Sequence, residues 1–157
     1  MDEYLSMSVA FSLWRRRVGQ ELQAYGITFH QYMLVRMVWS KRDLTLSAAA
    51  LELGMDKPSM SLVARKCLAS GWLERRASTS DKRAYRLSLT GKGEELLDRI
   101  DAEGRLLPGA IPDALDILDS AGKADLRRLL DRVARRARDL YGSRCSPGTQ
   151  LHGRVEG

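Results

Sequence analysis

Three glycines and four helix-capping residues punctuate the middle of the chain so closely that few folds fit it. Gly26, Gly54 and Gly71 each follow an apolar-patterned segment, and glycine tolerates the left-handed conformation that a helix C-cap needs. Thr28, then Thr45 or Ser47, then Asp56, then Thr90 each stand just ahead of a helical segment, with a side-chain oxygen able to accept from an orphan amide. Thr28 has Gln31 three residues on, the spacing of a reciprocal capping box. Asp56 is followed by Pro58 in the first turn, where a missing amide costs nothing. The spacing predicts helices over 28–40, 46–53 and 57–70. Tyr32, Met33, Val35, Met37 and Val38 are the inward residues of the first, and Ala48, Ala49 and Ala50 let a neighbour approach the second. Met60, Val63, Ala64, Cys67 and Leu68 form the buried face of the third.

Two helices joined by a turn containing Gly54 read as a helix-turn-helix. Two strands follow. The first is 72–76. In the second, Tyr85, Leu87 and Leu89 alternate with Ala84, Arg86 and Ser88, the period of a half-buried strand. Between them 77–83 is a polar, basic loop, so the hairpin makes a wing. Ahead of this unit, 2–25 reads as one helix with Tyr4, Met7, Phe11, Trp14, Val18, Leu22 and Tyr25 on one stripe. Such a stripe needs cover from its own domain or from a second subunit. Behind it, Thr90 caps a helix through Leu96, Leu97 and Ile100, and Pro108, Gly109 and Pro112 break the path. A last helix lies within 114–141, restarting at Ser120, with Leu126, Leu129, Leu130, Val133, Ala137 and Leu140 on its apolar side. The stretch 145–157 is rich in Gly, Pro and Ser, as a disordered tail would be. The fold class is mainly α with a small β-hairpin.

Charge gives the fold a direction. The 157 residues carry a net charge of +6. Between Lys57 and Lys92 there are nine basic and two acidic residues, and the rest of the chain is close to neutral. The excess therefore sits on the helix-turn-helix and hairpin, as on a polyanion-binding face or, equally on charge alone, a solvated lysine- and arginine-rich surface. Other classes fare poorly. Cys67 and Cys145 cannot make a disulfide framework, and His30 and His152 cannot supply a metal cluster. No cofactor is expected. Gly91-Lys92-Gly93 lacks the upstream glycine spacing of a phosphate loop, and no serine, histidine and acid set is suggested, so no catalytic residue is expected. No apolar run approaches the ~18 residues a membrane helix needs. The first eight residues lack the pattern of a signal peptide. A cytoplasmic, nucleoid-associated protein is the expectation.

Three motifs carry a resemblance. Thr28-x-x-Gln31 opens one helix; Lys57-Pro58-Ser59-Met60-Ser61 leads to Leu68-x-x-Gly71-x-Leu73-x-Arg75; and Asp81-x-Arg83-x-x-x-Leu87-x-Leu89-Thr90-x-x-Gly93 spans the wing. Together they resemble the MarR family of bacterial winged-helix transcriptional regulators. That resemblance implies an obligate homodimer built from intertwined terminal helices. It divides the chain into an N-terminal dimerisation helix (1–27), a winged DNA-binding lobe (28–93), C-terminal dimerisation helices (94–142) and a flexible tail (143–157). It also implies a double-stranded, pseudo-palindromic DNA operator as partner, and repression relieved by a small aromatic or phenolic effector. Leu62 departs from the pattern, standing where relatives often carry a polar or basic residue. The competing reading is a winged-helix module that binds protein and has lost DNA binding.

Candidate DNA-facing residues follow. Lys57, Ser59 and Ser61 begin the 57–70 helix, whose N-terminus favours an anionic phosphate. Met60 lies between the serines and is counted with this set as well as with the apolar face. Arg65 is one turn on and suits base or phosphate; Lys66 suits phosphate. By resemblance Arg83 enters the minor groove, where a narrow A·T-rich groove attracts guanidinium, and Asp81 orients the wing. Lys82 and Arg86 suit phosphate, while Arg75 and Arg76 serve the wing's structure as much as binding. By the same resemblance, Trp14, Arg17, His30 and Met33 line an effector cleft. Cys67 reads as a small core residue.

Overall fold

A computed structural model describes residues 2–41, 44–77, 85–102, 115 and 117–141. Helix α1 (Glu3–Gln23) is capped by Asp2, whose Oδ1 accepts from the Leu5 amide at 2.8 Å. Helix α2 (Phe29–Ser40) opens with the expected capping box: the Thr28 amide donates to Gln31 Oε1 at 2.9 Å, and the Gln31 amide to Thr28 Oγ1 at 3.4 Å. A two-residue strand β1 (Leu44–Thr45) leads into α3 (Leu46–Glu52). Of the two capping choices, Thr45 is the one used, its Oγ1 accepting from the Ala48 amide at 3.2 Å. Then come α4 (Lys57–Ala69), β2 (Leu73–Ala77), β3 (Tyr85–Leu89), α5 (Gly91–Ala102) and α6 (Ser120–Tyr141). The chain is mainly helical with one small antiparallel sheet.

That sheet has the order β1-β3-β2, with Leu44 opposite Leu87 and Leu73 opposite Leu89. The third strand was not expected. Two residues carry no alternation to read, and β1 exists because Leu44 finds Leu87 beside it. Leu87 sits at the junction of sheet and helices, in a core with Leu22, Leu34, Val35, Met60, Cys67, Leu97 and Ile100. Gly54 and Gly71 close α3 and α4 at φ of +61° and +74°, the left-handed region where a β-carbon is strained. Thr90 locks the hairpin's root to the end of α4. Its Oγ1 lies 2.6 Å from the Gly71 carbonyl and 3.1 Å from that of Trp72, and accepts from the Gly93 amide at 3.1 Å. Gly93 is required by contact: a β-carbon there would collide with the Trp72 carbonyl and the Leu89 side chain.

The terminal helices are the least covered elements. Only Val18 and Leu22 of α1 are buried; Tyr4, Met7 and Phe11 of the predicted stripe are exposed, and Trp14 and Tyr25 half-buried. None of the described side chains of α6 is buried, and Leu129, Leu130, Val133 and Leu140 are exposed. At its far end Arg138 reaches Glu52 of α3 at 3.4 Å, and Glu52 also accepts from Lys41 at 2.6 Å. The Pro-Gly break and the tail 143–157 lie outside the described residues. Among those residues, no helix is long and apolar enough to cross a membrane.

Candidate nucleic-acid interface

The α4 cap determines what its leading end can offer. Asp56 Oδ1 accepts from the Ser59 amide at 2.7 Å and Oδ2 from the Ser59 hydroxyl at 2.8 Å. These bonds, the amide first and the hydroxyl second, hold the Asp56 carboxyl below its usual range. A carboxylate therefore already occupies the electropositive end of the helix, and the Ser59 hydroxyl is engaged in the cap. The Ser59 amide at this N-terminus is thus taken by Asp56.

Along α4, Met60, Ala64 and Cys67 point into the core. Met60 is 0% exposed. It therefore leaves the DNA-facing set and is a core residue only, the outcome of its place one turn before Ala64. Cys67 is enclosed with it: burial pushes its thiol up to about 12, and Sγ donates to the Gln31 carbonyl at 4.0 Å. About half a turn from Met60 and Ala64 lies Leu62, 47% exposed. Pro58, Arg65, Lys66 and Ala69 are exposed around it, Lys57 is exposed at the helix start, and Ser61 is half-buried at the flank. Lys57, Arg65 and Lys66 make no ion pair among the described residues. The outward position of Leu62 could have been read from the helical period alone, since the buried set defines the opposite side.

The hairpin arginines divide by environment. Arg75 lies 4.3 Å over the Tyr85 ring, and Arg76 pairs with Glu74 at 3.0 Å. Arg86 is half-buried and stands directly opposite Arg76 in the ladder, an arrangement that like charges disfavour unless an anion lies near. The loop residues Asp81, Lys82 and Arg83 lie outside the described residues.

Of the four cleft candidates, two share a neighbour. Phe29 meets Trp14 edge-on at 5.4 Å and His30 at 5.6 Å, and Phe11 lies 5.8 Å from Trp14. Arg17 pairs instead with Glu21 on its own helix at 2.6 Å, and Met33 packs half-buried against the core. Two shallow cavities, of about 510 and 450 Å³, lie elsewhere, one by Trp39, Arg76 and Glu94, the other by Tyr25, Trp72 and Arg99.

A helix pair joined at Gly54, a β-hairpin rooted at its end and a cationic outer helix face define a winged helix-turn-helix protein. Residues 25–84, the greater part of the winged lobe, match the model of the MarR family. The transcriptional regulator TtmR of Methylorubrum extorquens is 24% identical over 143 residues, 90% of this chain and 69% of that one. The transcriptional repressor MprA of Escherichia coli is 31% identical over 81 residues, 50% of this chain and 46% of its own length. A crystal structure of a mutant Escherichia coli MarR complexed with operator DNA superposes with a TM-score of 0.68 at 20% identity, covering 81% of this chain and 89% of that one. At that identity the likeness is one of fold.

Proposed function

We propose that the chain is a transcriptional regulator that binds double-stranded DNA as a homodimer and represses by occupying a pseudo-palindromic operator. In each subunit α4 enters a major groove and the hairpin, tipped by Arg83 with Lys82 beside it, follows the flanking minor groove. Asp81 orients that tip. One observation carries this reading: α4 buries Met60, Ala64 and Cys67 on one side and presents Lys57, Arg65 and Lys66 on its exposed surface. Cations with no ion-pair partner among the described residues, on a helix docked from behind, suit a polyanion. The names of TtmR and MprA and the operator DNA in the MarR complex support the same reading.

The dimer follows from the terminal segments, 1–27 and 94–142, which flank the winged lobe 28–93. Phe11 is 53% and Leu13 64% exposed on α1, and α6 carries its own uncovered leucines. Apolar surface of this kind marks an interface, and a second copy supplies two matching helices under two-fold symmetry. Half-sites then lie about one helical turn apart. An effector, a small aromatic or phenolic molecule, is assigned to the region of Trp14, Arg17, His30 and Met33, where the rings of Phe11 and Phe29 already lie against Trp14. Its binding shifts the lobe spacing away from the one that fits DNA. The protein works on the chromosome, in the cytoplasm.

The test is an electrophoretic shift of the DNA upstream of the protein's own gene, with and without simple phenolics. The regulator reading expects a shifted band that Arg83→Ala and Lys57→Ala each weaken strongly. A protein–protein module expects no shift, with partner binding indifferent to both substitutions.

A further inference from the structure

We infer that Leu62 is a specificity residue of α4, reading the C5 methyl group of thymine on the floor of the major groove. The inference deepens the DNA-binding reading and rests on it. Leu62 is an exposed apolar side chain at the middle of α4, about half a turn from the residues that anchor the helix. Pro58 lies one turn before it and Lys66 one turn after, with Arg65 alongside, and all three are exposed. Cations so placed reach for the phosphate walls on either side. The residue they bring to the floor of the groove is then Leu62, which has neither donor nor acceptor.

The chemistry of base edges leaves such a side chain one favourable contact. In the major groove G, C and A display only hydrogen-bonding atoms, whereas T adds a methyl group. Against a thymine methyl, Leu62 removes apolar surface of both partners from water. Against a guanine or cytosine edge it strips water from polar atoms and returns no hydrogen bond. The same side chain thus favours one base and opposes the others, the two halves of specificity. Polar Ser59, engaged with Asp56 at 2.8 Å, and buried Met60 do not compete for this position.

The experiment selects a tight-binding duplex from a randomised library with the purified full chain, then replaces its thymines by uracil one at a time. Uracil keeps every hydrogen-bonding atom and lacks only the methyl. The expected result is one position in each half-site where the replacement weakens binding about fourfold, the transfer value of one buried carbon group. Leu62→Ala should abolish the distinction between thymine and uracil there, and Leu62→Asn should move the preference toward adenine. Circular dichroism melting of both variants checks that this exposed position leaves the fold intact. If uracil is tolerated at every position, or its effect survives in Leu62→Ala, the inference is overturned. If no duplex is enriched at all, the DNA-binding reading itself falls, and this one with it.

Discussion

Replacing Lys57, Arg65 or Lys66 singly by alanine tests the interface at its electrostatic root. All three are exposed on or beside the outer face of α4, and none makes an ion pair among the described residues. Each cation that neutralises one phosphate releases about 0.9 of a condensed counterion. At roughly 0.15 M salt that release is worth about 1 kcal/mol. A symmetric dimer loses two such contacts per substitution. Affinity should therefore fall about 30-fold, and the slope of log affinity against log salt should become shallower by about 1.8. Fluorescence anisotropy of a labelled, library-selected duplex, titrated across a chloride series, reads both quantities. Arg76→Ala is the comparison, because the guanidinium of Arg76 is already paired with Glu74 at 3.0 Å and should release fewer counterions. An unchanged slope in all three α4 variants, or an equal change in Arg76→Ala, would refute the reasoning.

Three further outcomes follow from the packing. Met60→Ala should cost about 2–5 kcal/mol in urea unfolding through the cavity it leaves, while the salt slope of the remaining folded protein stays at the parent value. Gly93→Ala should lower the melting temperature, losing about 1–3 kcal/mol by overpacking against the Trp72 carbonyl and Leu89; Gly91→Ala, which meets nothing within 4 Å, should not. Glu52 is held below the usual carboxylate range, first by the hydrogen bond from Lys41. A depressed folded pKa contributes stability that is present above the unfolded value and lost as pH falls through the folded one. Glu52→Gln should therefore flatten the loss of stability as the buffer is taken from neutrality to below about pH 4, measured by urea midpoints.

What the sequence disclosed was mainly local. Gly26, Gly54 and Gly71 all adopt positive φ, and the Thr28–Gln31 box closes as its spacing requires, because caps and turns involve residues a few positions apart. The alternation of Tyr85, Leu87 and Leu89 marked β3 for the same reason. What escaped was decided by distant partners. β1 depends on Leu87, more than forty positions on. Ser59 stands among the DNA-facing candidates, yet its hydroxyl is bonded to its own cap. Met60 sat in a motif and an apolar stripe at once, and only packing shows that the stripe wins. The aromatic stripe of α1 is regular along its length, but the described fold covers it only toward Val18 and Leu22. The residues that point to DNA are legible as a charge window, and the outward place of Leu62 is implied by the apolar period of α4, which puts Met60, Ala64 and Cys67 on the opposite side.

The bareness of α6 has a consequence for how long this protein lasts. A helix of 22 residues with no described side chain inside its own core keeps its shape largely through whatever lies against it. If that neighbour is another copy, dilution strips it away, and resistance to heat and to proteases becomes a function of how many copies are present. Scarce molecules would be cleared faster than abundant ones, giving the chain a turnover set by its own census.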